Sequence, residues 1–360
     1  MIEPLKSVRI LDFNLAANTA HFTAMLIMAL AMPEHHEHRR RSHRPGTVDD
    51  RPDRRVLVAR LASCEVIGPM TLHPFESCSQ TSDHERGDMT NPQIDSQYST
   101  GLSRRSIEHA LIAGGKDLQS LQPADLAMLE DFHTMGRIAT SQLVDLIGIT
   151  PEDEVLDAGS GIGGTARYLA SQCGCRATAV DLTEEYCETA RWLNRLVGLD
   201  EVISVRQSDV TELPFGDGTF RVVFSQHVQM NVADKARLYT ESRRVLADGG
   251  RLAMWDIASG ERGELSYPLP WADTPDISHL VSSGRLRSIV ESSGFAIEQW
   301  NDLTEQAAAT MQALLSLPPQ PLGLHAFVPD FVTKAKNLTV ALSDGRLRVI
   351  QGIARAGATK

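Results

Sequence analysis

From residue 103 onward the apolar positions fall into short runs alternating with amphipathic stretches. Residues 103–113 and 123–147 carry helical spacing, the second through Leu126, Leu129, Ile138, Leu143, Leu146 and Ile147. A turn at 151–153 leads into Glu154-Val155-Leu156-Asp157, a predicted strand. Gly159, Gly161, Gly163 and Gly164 follow, and then a predicted helix over 165–171. The unit recurs. A second strand is predicted at Arg176–Asp181 and a helix at 183–197 with Thr183 as N-cap. Strands at 202–207, 220–225 and 251–257 and a helix at 235–246 complete the run. Strands alternating with helices predict an α/β fold, a mostly parallel sheet with helices on both faces.

In such sheets ligands sit at the carboxyl ends of the strands, at the switch point. Asp157, Gly159, Asp181, Asp209 and Gln226 all fall at predicted strand ends, so one rim gathers them. The glycine loop reads either as GxGxG or as GxGxxG, the second being the dinucleotide fingerprint, and Asp181 suits a ribose in both cases. Charge separates the two readings. A pyrophosphate near the loop would meet Asp157, and at ~5 Å that repulsion is about 3 kcal/mol. S-adenosylmethionine (SAM) carries a sulfonium and an ammonium against one carboxylate, so an acid beside the loop helps to hold it. Asp209 suits the amino group of its adenine. SAM is therefore the expected cofactor, with a nicotinamide dehydrogenase as the less favoured alternative.

Val155-Leu156-Asp157-Ala158-Gly159-Ser160-Gly161-Ile162-Gly163-Gly164 resembles the first motif of the class I SAM-dependent methyltransferases. Ala179-Val180-Asp181-Leu182 resembles their second motif. Ser208-Asp209-Val210, with Leu213-Pro214-Phe215 after it, resembles the third, and the stretch from Phe220 to Gln226 the fourth. The resemblance runs from about Glu154 to Ile257. Within the class the chain is most similar to the UbiE-like group with the sarcosine and dimethylglycine N-methyltransferases, whose GGED stretch Gly114-Gly115-Lys116-Asp117 resembles. Arg221 departs from the group, which has Asp there, at a position expected to face away from the pocket.

The resemblance implies a Rossmann-like seven-stranded sheet with its last strand antiparallel, strands six and seven lying at 295–300 and 347–354. It implies that Asp157 and the backbone of Gly159, Gly161 and Gly163 hold the methionine end of SAM. Asp181 would take the ribose hydroxyls and Leu182 would pack on adenine. Asp209 and the Val210 backbone would read the adenine amino group, and Gln226 would lie under the sulfonium.

Methyl transfer from a sulfonium is an in-line displacement that needs alignment and exclusion of water rather than a metal. His227, next to Gln226, is the candidate catalytic base, or else a residue bonded locally at the strand end. Arg137 is placed either to pair with the cofactor carboxylate or at an ordinary surface position. His133, Met230, Tyr267 and Trp271 are expected to shape the acceptor pocket, with Asn231 beside them. Two long segments, 266–283 and a cap insertion at 304–341, supply the pocket's helical cap, and Trp271, Phe327 and Phe331 in them serve either the pocket or the core. The C-x-C pair Cys173 and Cys175 has no matching second pair, so no zinc site is expected.

The first 88 residues differ in texture. They hold 11 Lys+Arg, 12 Asp+Glu and seven of the 12 histidines, and no regular period survives there. They read as a disordered extension, with residues 89–150 as a helical lid and 151–360 as the catalytic domain. The apolar stretch 15–32 barely reaches the ~20 residues of a membrane span and contains Asn18 and His21. The working protein is expected to begin near Met89. Five scattered cysteines fit a reducing, cytoplasmic setting. Nearly all of the net charge of −11 lies after residue 88, which argues against a nucleic-acid partner and stable membrane association. The expected function is methyl transfer from SAM to a nitrogen or oxygen of a small-molecule acceptor. A SAM-binding module without turnover is the alternative, and a homodimer stays open.

Overall fold

The computed structural model describes residues 97–318 and 320–357. The predicted extension 1–88, the apolar stretch within it and the start near Met89 lie outside the described residues. Among the described residues no helix is long and apolar enough to cross a membrane. All of them belong to one compact unit.

In chain order the regular elements are α1 (Ser103–Ala113), α2 (Ala127–Glu130), α3 (Arg137–Ile147), β1 (Glu154–Ala158), α4 (Gly164–Cys173), β2 (Arg176–Asp181) and α5 (Glu184–Leu196). There follow β3 (Ile203–Gln207), β4 (Phe220–Gln226), α6 (Lys235–Val245), β5 (Leu246–Ser259), α7 (Ser283–Ser292) and β6 (Phe295–Asp302). The chain closes with α8 (Thr304–Ser316), α9 (Phe331–Ser343) and β7 (Leu347–Ala356). The sheet order is β3-β2-β1-β4-β5-β7-β6. β1 to β5 pair in parallel, and β7 runs antiparallel to both β5 and β6, as the resemblance implied.

Consecutive β1 residues feed opposite faces of the sheet. Val155 joins a cluster with Leu143, Phe224, Trp255 and Val349, which α3, α8 and α9 cover. Leu156 joins a second cluster with Val223, Tyr239 and Val290, which α6 and α7 cover. A third cluster joins α1 to α5 through Ile107, Leu111, Trp192 and Leu193, and Phe327 belongs to it. The insertion between β6 and β7 is thus the pair α8 and α9, packed mainly on the sheet. Thr183 occupies the N-cap of α5 but its side chain makes no capping bond.

The helix expected over 123–147 is broken. A turn at Pro123–Leu126 and the single turn α2 end at Asp131, and α3 starts only at Arg137. Between them Met135 and Gly136 take left-handed φ of 64° and 51°. The cause is an ion network that a straight helix would pull apart. Glu130 bonds Arg137 at 2.6 Å and the fully buried Arg167 at 2.7 Å, and Arg137 also holds Asp131 at 2.7 Å. Arg167 spends its remaining donors on Asn194 Oδ1 and the Ile162 carbonyl. Gly164 is required by the same contact, since a Cβ there would stand 2.8 Å from the Glu130 carbonyl oxygen. Removing one partner leaves the other charge buried. Glu130→Ala is expected to lower the unfolding free energy by about 3–5 kcal/mol, read by urea denaturation followed by circular dichroism.

Candidate functional site

The strand order puts the carboxyl ends of β1 and β4 side by side, and the register pairs Asp157 with Ala179 and with Phe224. A cavity of ≈ 320 Å³ opens there. Of the residues expected at the site, Asp157, Gly159, Gly161, Asp181, Leu182, Asp209, Val210, Gln226, His227, His133, Met230 and Trp271 line it.

Three do not. Gly163 caps α4 at φ 85° and turns toward Arg167, so it shapes the loop from behind. Arg137 is held by Glu130 and Asp131 and stacks over Tyr168 at 4.8 Å, which takes it away from the cavity. Tyr267 packs against the sheet cluster under α9. Phe331 likewise sits against Phe132, with centroids 6.4 Å apart, while Phe327 reaches the cavity.

The glycine loop is fixed by close approach. The amides of Gly159 and Ser160 both donate to the Val180 carbonyl, at 2.9 and 2.8 Å. Gly159 has φ 75°, and a Cβ there would meet Val228 Cγ2 at 2.4 Å. A Cβ on Gly161 would meet nothing within 4 Å, so this side of the loop is an open cradle. Ser160 Oγ is enclosed and has no protein partner.

Acids dominate the rim. Asp157 is 3% exposed and accepts from the Ala166 amide at 3.0 Å. Burial pushes its carboxyl up to about 7 despite that bond. Asp181 accepts from the Gly161 amide at 2.7 Å and the Thr183 amide at 3.0 Å, and burial raises its pKa too. Asp209 uses Oδ1 for the amide and hydroxyl of Thr211, both at 2.7 Å. Among the described residues lining the cavity there is no Lys or Arg. A cation with hydrogen-bonding arms fits this set, and a pyrophosphate does not. The two uncompensated acids, the open cradle at Gly161 and the unpartnered Ser160 hydroxyl all suit SAM. Asp157 and the loop would face its charged end and Asp181 its ribose.

Two histidines also line the cavity, their rings 6.1 Å apart. His227 has φ 56°, and its Nε2 accepts from the Thr134 amide at 3.2 Å. Thr134 Oγ1 lies 3.1 Å from the same nitrogen and accepts from Trp255 Nε1 at 2.8 Å. An N–H donor on Nε2 fixes Nε2 as an acceptor. The proton of the neutral ring is therefore on Nδ1. Burial, and then the nearby His133, depress the His227 pKa well below 6.5. His133 is not on a helix, as expected from the sequence, but on the irregular segment before α3. Its Nε2 lies 3.2 Å from Gln226 Nε2 and 3.3 Å from Thr140 Oγ1, and burial lowers its pKa to about 4. Gln226 Oε1 accepts from Thr165 at 2.8 Å, so this chain of bonds ties α4 to the segment before α3.

Sequence reasoning missed Tyr98, Phe132 and Tyr186, which also line the cavity. Asn231 Nδ2 donates to the Tyr98 hydroxyl at 2.7 Å, and Tyr98 packs on Tyr186 with centroids 5.8 Å apart. Tyr98 precedes every periodic segment, so only its aromatic character could have marked it. The His227 geometry is directly measurable. Long-range ¹⁵N–¹H correlation spectra are expected to show His227 as the Nδ1–H tautomer, with no titration of either ring between pH 6 and 8.

A family profile described as a methyltransferase domain matches residues 156–254. The glycine/sarcosine/dimethylglycine N-methyltransferase of Actinopolyspora halophila is 31% identical over 176 residues, 49% of this chain and 31% of that enzyme, so the chain spans about a third of that relative. The sarcosine/dimethylglycine N-methyltransferase of Halorhodospira halochloris is 30% identical over 199 residues, 55% of this chain and 71% of that enzyme. Among solved structures, a geranyl diphosphate methyltransferase in complex with SAM superposes with a TM-score of 0.51 at 21% identity, covering 61% of this chain and 84% of that one, a likeness of fold. The dehydrogenase alternative is not favoured by any of these, and the chain belongs to the SAM-dependent methyltransferases, in the group of the sarcosine and dimethylglycine N-methyltransferases.

Proposed function

We propose that the protein transfers the methyl group of SAM to a nitrogen or oxygen of an uncharged small molecule. The observation that carries this reading is the acidic rim without a basic lining residue among those described, facing a wall of neutral and aromatic side chains. SAM supplies the activated methyl group. The protein's task is then to bind, align and exclude water, and correct alignment alone can lower a barrier by ~7–11 kcal/mol.

Asp157 and Asp181 bind and orient the donor. Phe132, Met230, Pro270, Trp271 and Phe327 enclose the acceptor and keep water out. His227 acts as a hydrogen-bond donor through Nδ1–H rather than as a base, because Nε2 is occupied and the ring is neutral. A neutral amine meets the methyl group with its free lone pair and becomes an ammonium as the C–S bond breaks and S-adenosylhomocysteine leaves, whereas a hydroxyl acceptor must give up its proton to solvent as its C–O bond forms. The curated relatives are named for sarcosine and dimethylglycine, which carry a carboxylate. In this cavity no Lys or Arg among the described lining residues offers such a group a counter-charge.

The test is a methyl-transfer assay with isotopically labelled SAM over a panel of phenols, alcohols, neutral amines and amino acids. Labelled product is expected from uncharged members. It is expected at least about tenfold less, in kcat/KM, from sarcosine and dimethylglycine, since enclosing a carboxylate without a cationic partner costs more than ~1.4 kcal/mol. SAM binding without labelled product from any member would instead favour a module without turnover.

SAM affinity should also depend on pH. The carboxyl of Asp157 titrates near 7 in the free protein, and a bound cation favours its ionised form. Below that value binding must expel a proton, so affinity is expected to fall by up to about tenfold per pH unit from 7 downward and to level off above 8. Calorimetry in buffers of different ionisation enthalpy reads both the affinity and the proton released, and Asp157→Asn should flatten the dependence.

A further inference from the structure

One carboxylate outside the cavity collects an unusual number of bonds. Glu185, in the first turn of α5, accepts from Ser99 Oγ at 2.9 Å and Thr100 Oγ1 at 3.3 Å. It also accepts from the amides of Gly101 and Ser103, both at 2.7 Å. Three of the donors lie on the short segment that leads into α1, and the fourth is the amide of Ser103, its first residue. The same segment carries Tyr98, whose hydroxyl is held by Asn231 and whose ring packs on Tyr186, the residue next to Glu185. One residue earlier, Gln97 bonds Asp273 in both directions at 3.3 Å. Asp273 in turn pairs with Lys334 of α9 at 2.9 Å. Residues 97–103 thus form a strap across the cavity, tied at one end to α5 and at the other to the segment after β5.

Glu185 is also close in sequence to the cofactor rim. The turn from Asp181 to Glu185 begins with the Thr183 amide on Asp181 Oδ1, and the Tyr186 amide then bonds the Thr183 carbonyl. One short stretch of chain therefore grips the ribose-side acid on one flank and the strap on the other. Burial alone would raise the Glu185 carboxyl, but the bonds from Ser103, Gly101 and Ser99 hold it down to about 2. A carboxyl so depressed contributes above its ordinary value near 4.5 and is lost only as pH falls toward 2, so the tie persists at neutral pH.

We propose that Glu185 is a positioning residue: it holds the strap that keeps Tyr98 over the cavity, and this closure slows the escape of bound cofactor. Glu185 is not among the residues lining the cavity and acts through Tyr98. The inference rests on the reading of the cavity as the SAM site. Losing the tie leaves the rim intact, because the bonds from Gly161 and Thr183 to Asp181 do not involve it.

The experiment uses the full chain and S-adenosylhomocysteine as the probe. Its dissociation rate is measured by stopped-flow tryptophan fluorescence after displacement by excess SAM. Hydrogen exchange over residues 97–103 is followed with the probe bound. Glu185→Ala is expected to raise the dissociation rate by about tenfold or more and to speed exchange in that peptide, as expected for the loss of charge-assisted bonds. Glu185→Gln, which keeps one acceptor oxygen, should fall between. Tyr98→Ala should raise the dissociation rate similarly, and the double variant should be no faster than either single one, which a merely structural contribution of Glu185 would not give. Unchanged dissociation in Glu185→Ala, or effects that multiply in the double variant, would overturn the proposal. If Glu185→Ala does not fold, Ser99→Ala with Thr100→Val takes its place, with a smaller increase expected and no increase counting against it. A wild-type protein that binds no S-adenosylhomocysteine strikes the proposed function instead.

Discussion

The burial of Asp157 at the end of β1 is the constraint on which the site depends. Its side chain is 3% exposed, and the only bond it receives from the described protein is the Ala166 amide. Holding this carboxyl near 7 rather than 3.8 corresponds to on the order of 4 kcal/mol in favour of its neutral form. Asp181, raised as well, adds a second acid to the same rim and raises Asp157 further. A fold that keeps such a pair without a basic lining residue is primed for a cationic ligand. The glycines follow from the same geometry. The loop must pass close to Val228 at Gly159 and leave room at Gly161, whose amide is at the same time a donor to Asp181.

The sheet and the donor rim were legible in the sequence because they are local. Each strand ends a short apolar run, and the acid or amide at its tip is the next residue along the chain. Asp157, Asp181, Asp209 and Gln226 could be assigned to one edge without any knowledge of long-range contacts, since parallel strands share a direction. Strand ends moved by only a few residues. β5 is the largest change: it starts at Leu246, earlier than its apolar run suggests, through a bulged pairing with Phe220.

What could not be read were the contacts between distant segments. The break before α3 depends on Glu130 meeting Arg167, 37 residues on, and nothing in the spacing of Leu126, Leu129 and Ile138 reports that. Helical periodicity there is real, yet Glu130, Asp131, Arg137 and Arg167 form three ion pairs, and leaving any of these buried carboxylates or Arg167 without its partner would cost more than the few backbone bonds that a continuous helix would add. The tautomer of His227 is likewise set from 93 residues away by Thr134. A histidine after a strand end reads as a base from sequence, and only the Thr134 amide shows which nitrogen is spent. Tyr98 meets Asn231 across 133 residues.

The two halves of the cavity therefore have different origins. The acidic rim is made by the tips of neighbouring strands, and the sheet fixes its positions. The rest of the lining includes Tyr98, Phe132 with His133, Pro270 with Trp271, and Phe327, which come from four separate irregular segments. Phe327 arrives on the link between α8 and α9, the same excursion that covers one face of the sheet beside β7. Substitution in any of these connections leaves the rim acids and the glycine loop untouched. In this chain the cavity residues carried by these connections are aromatic, aliphatic or neutral, and no Lys or Arg stands among the described lining residues.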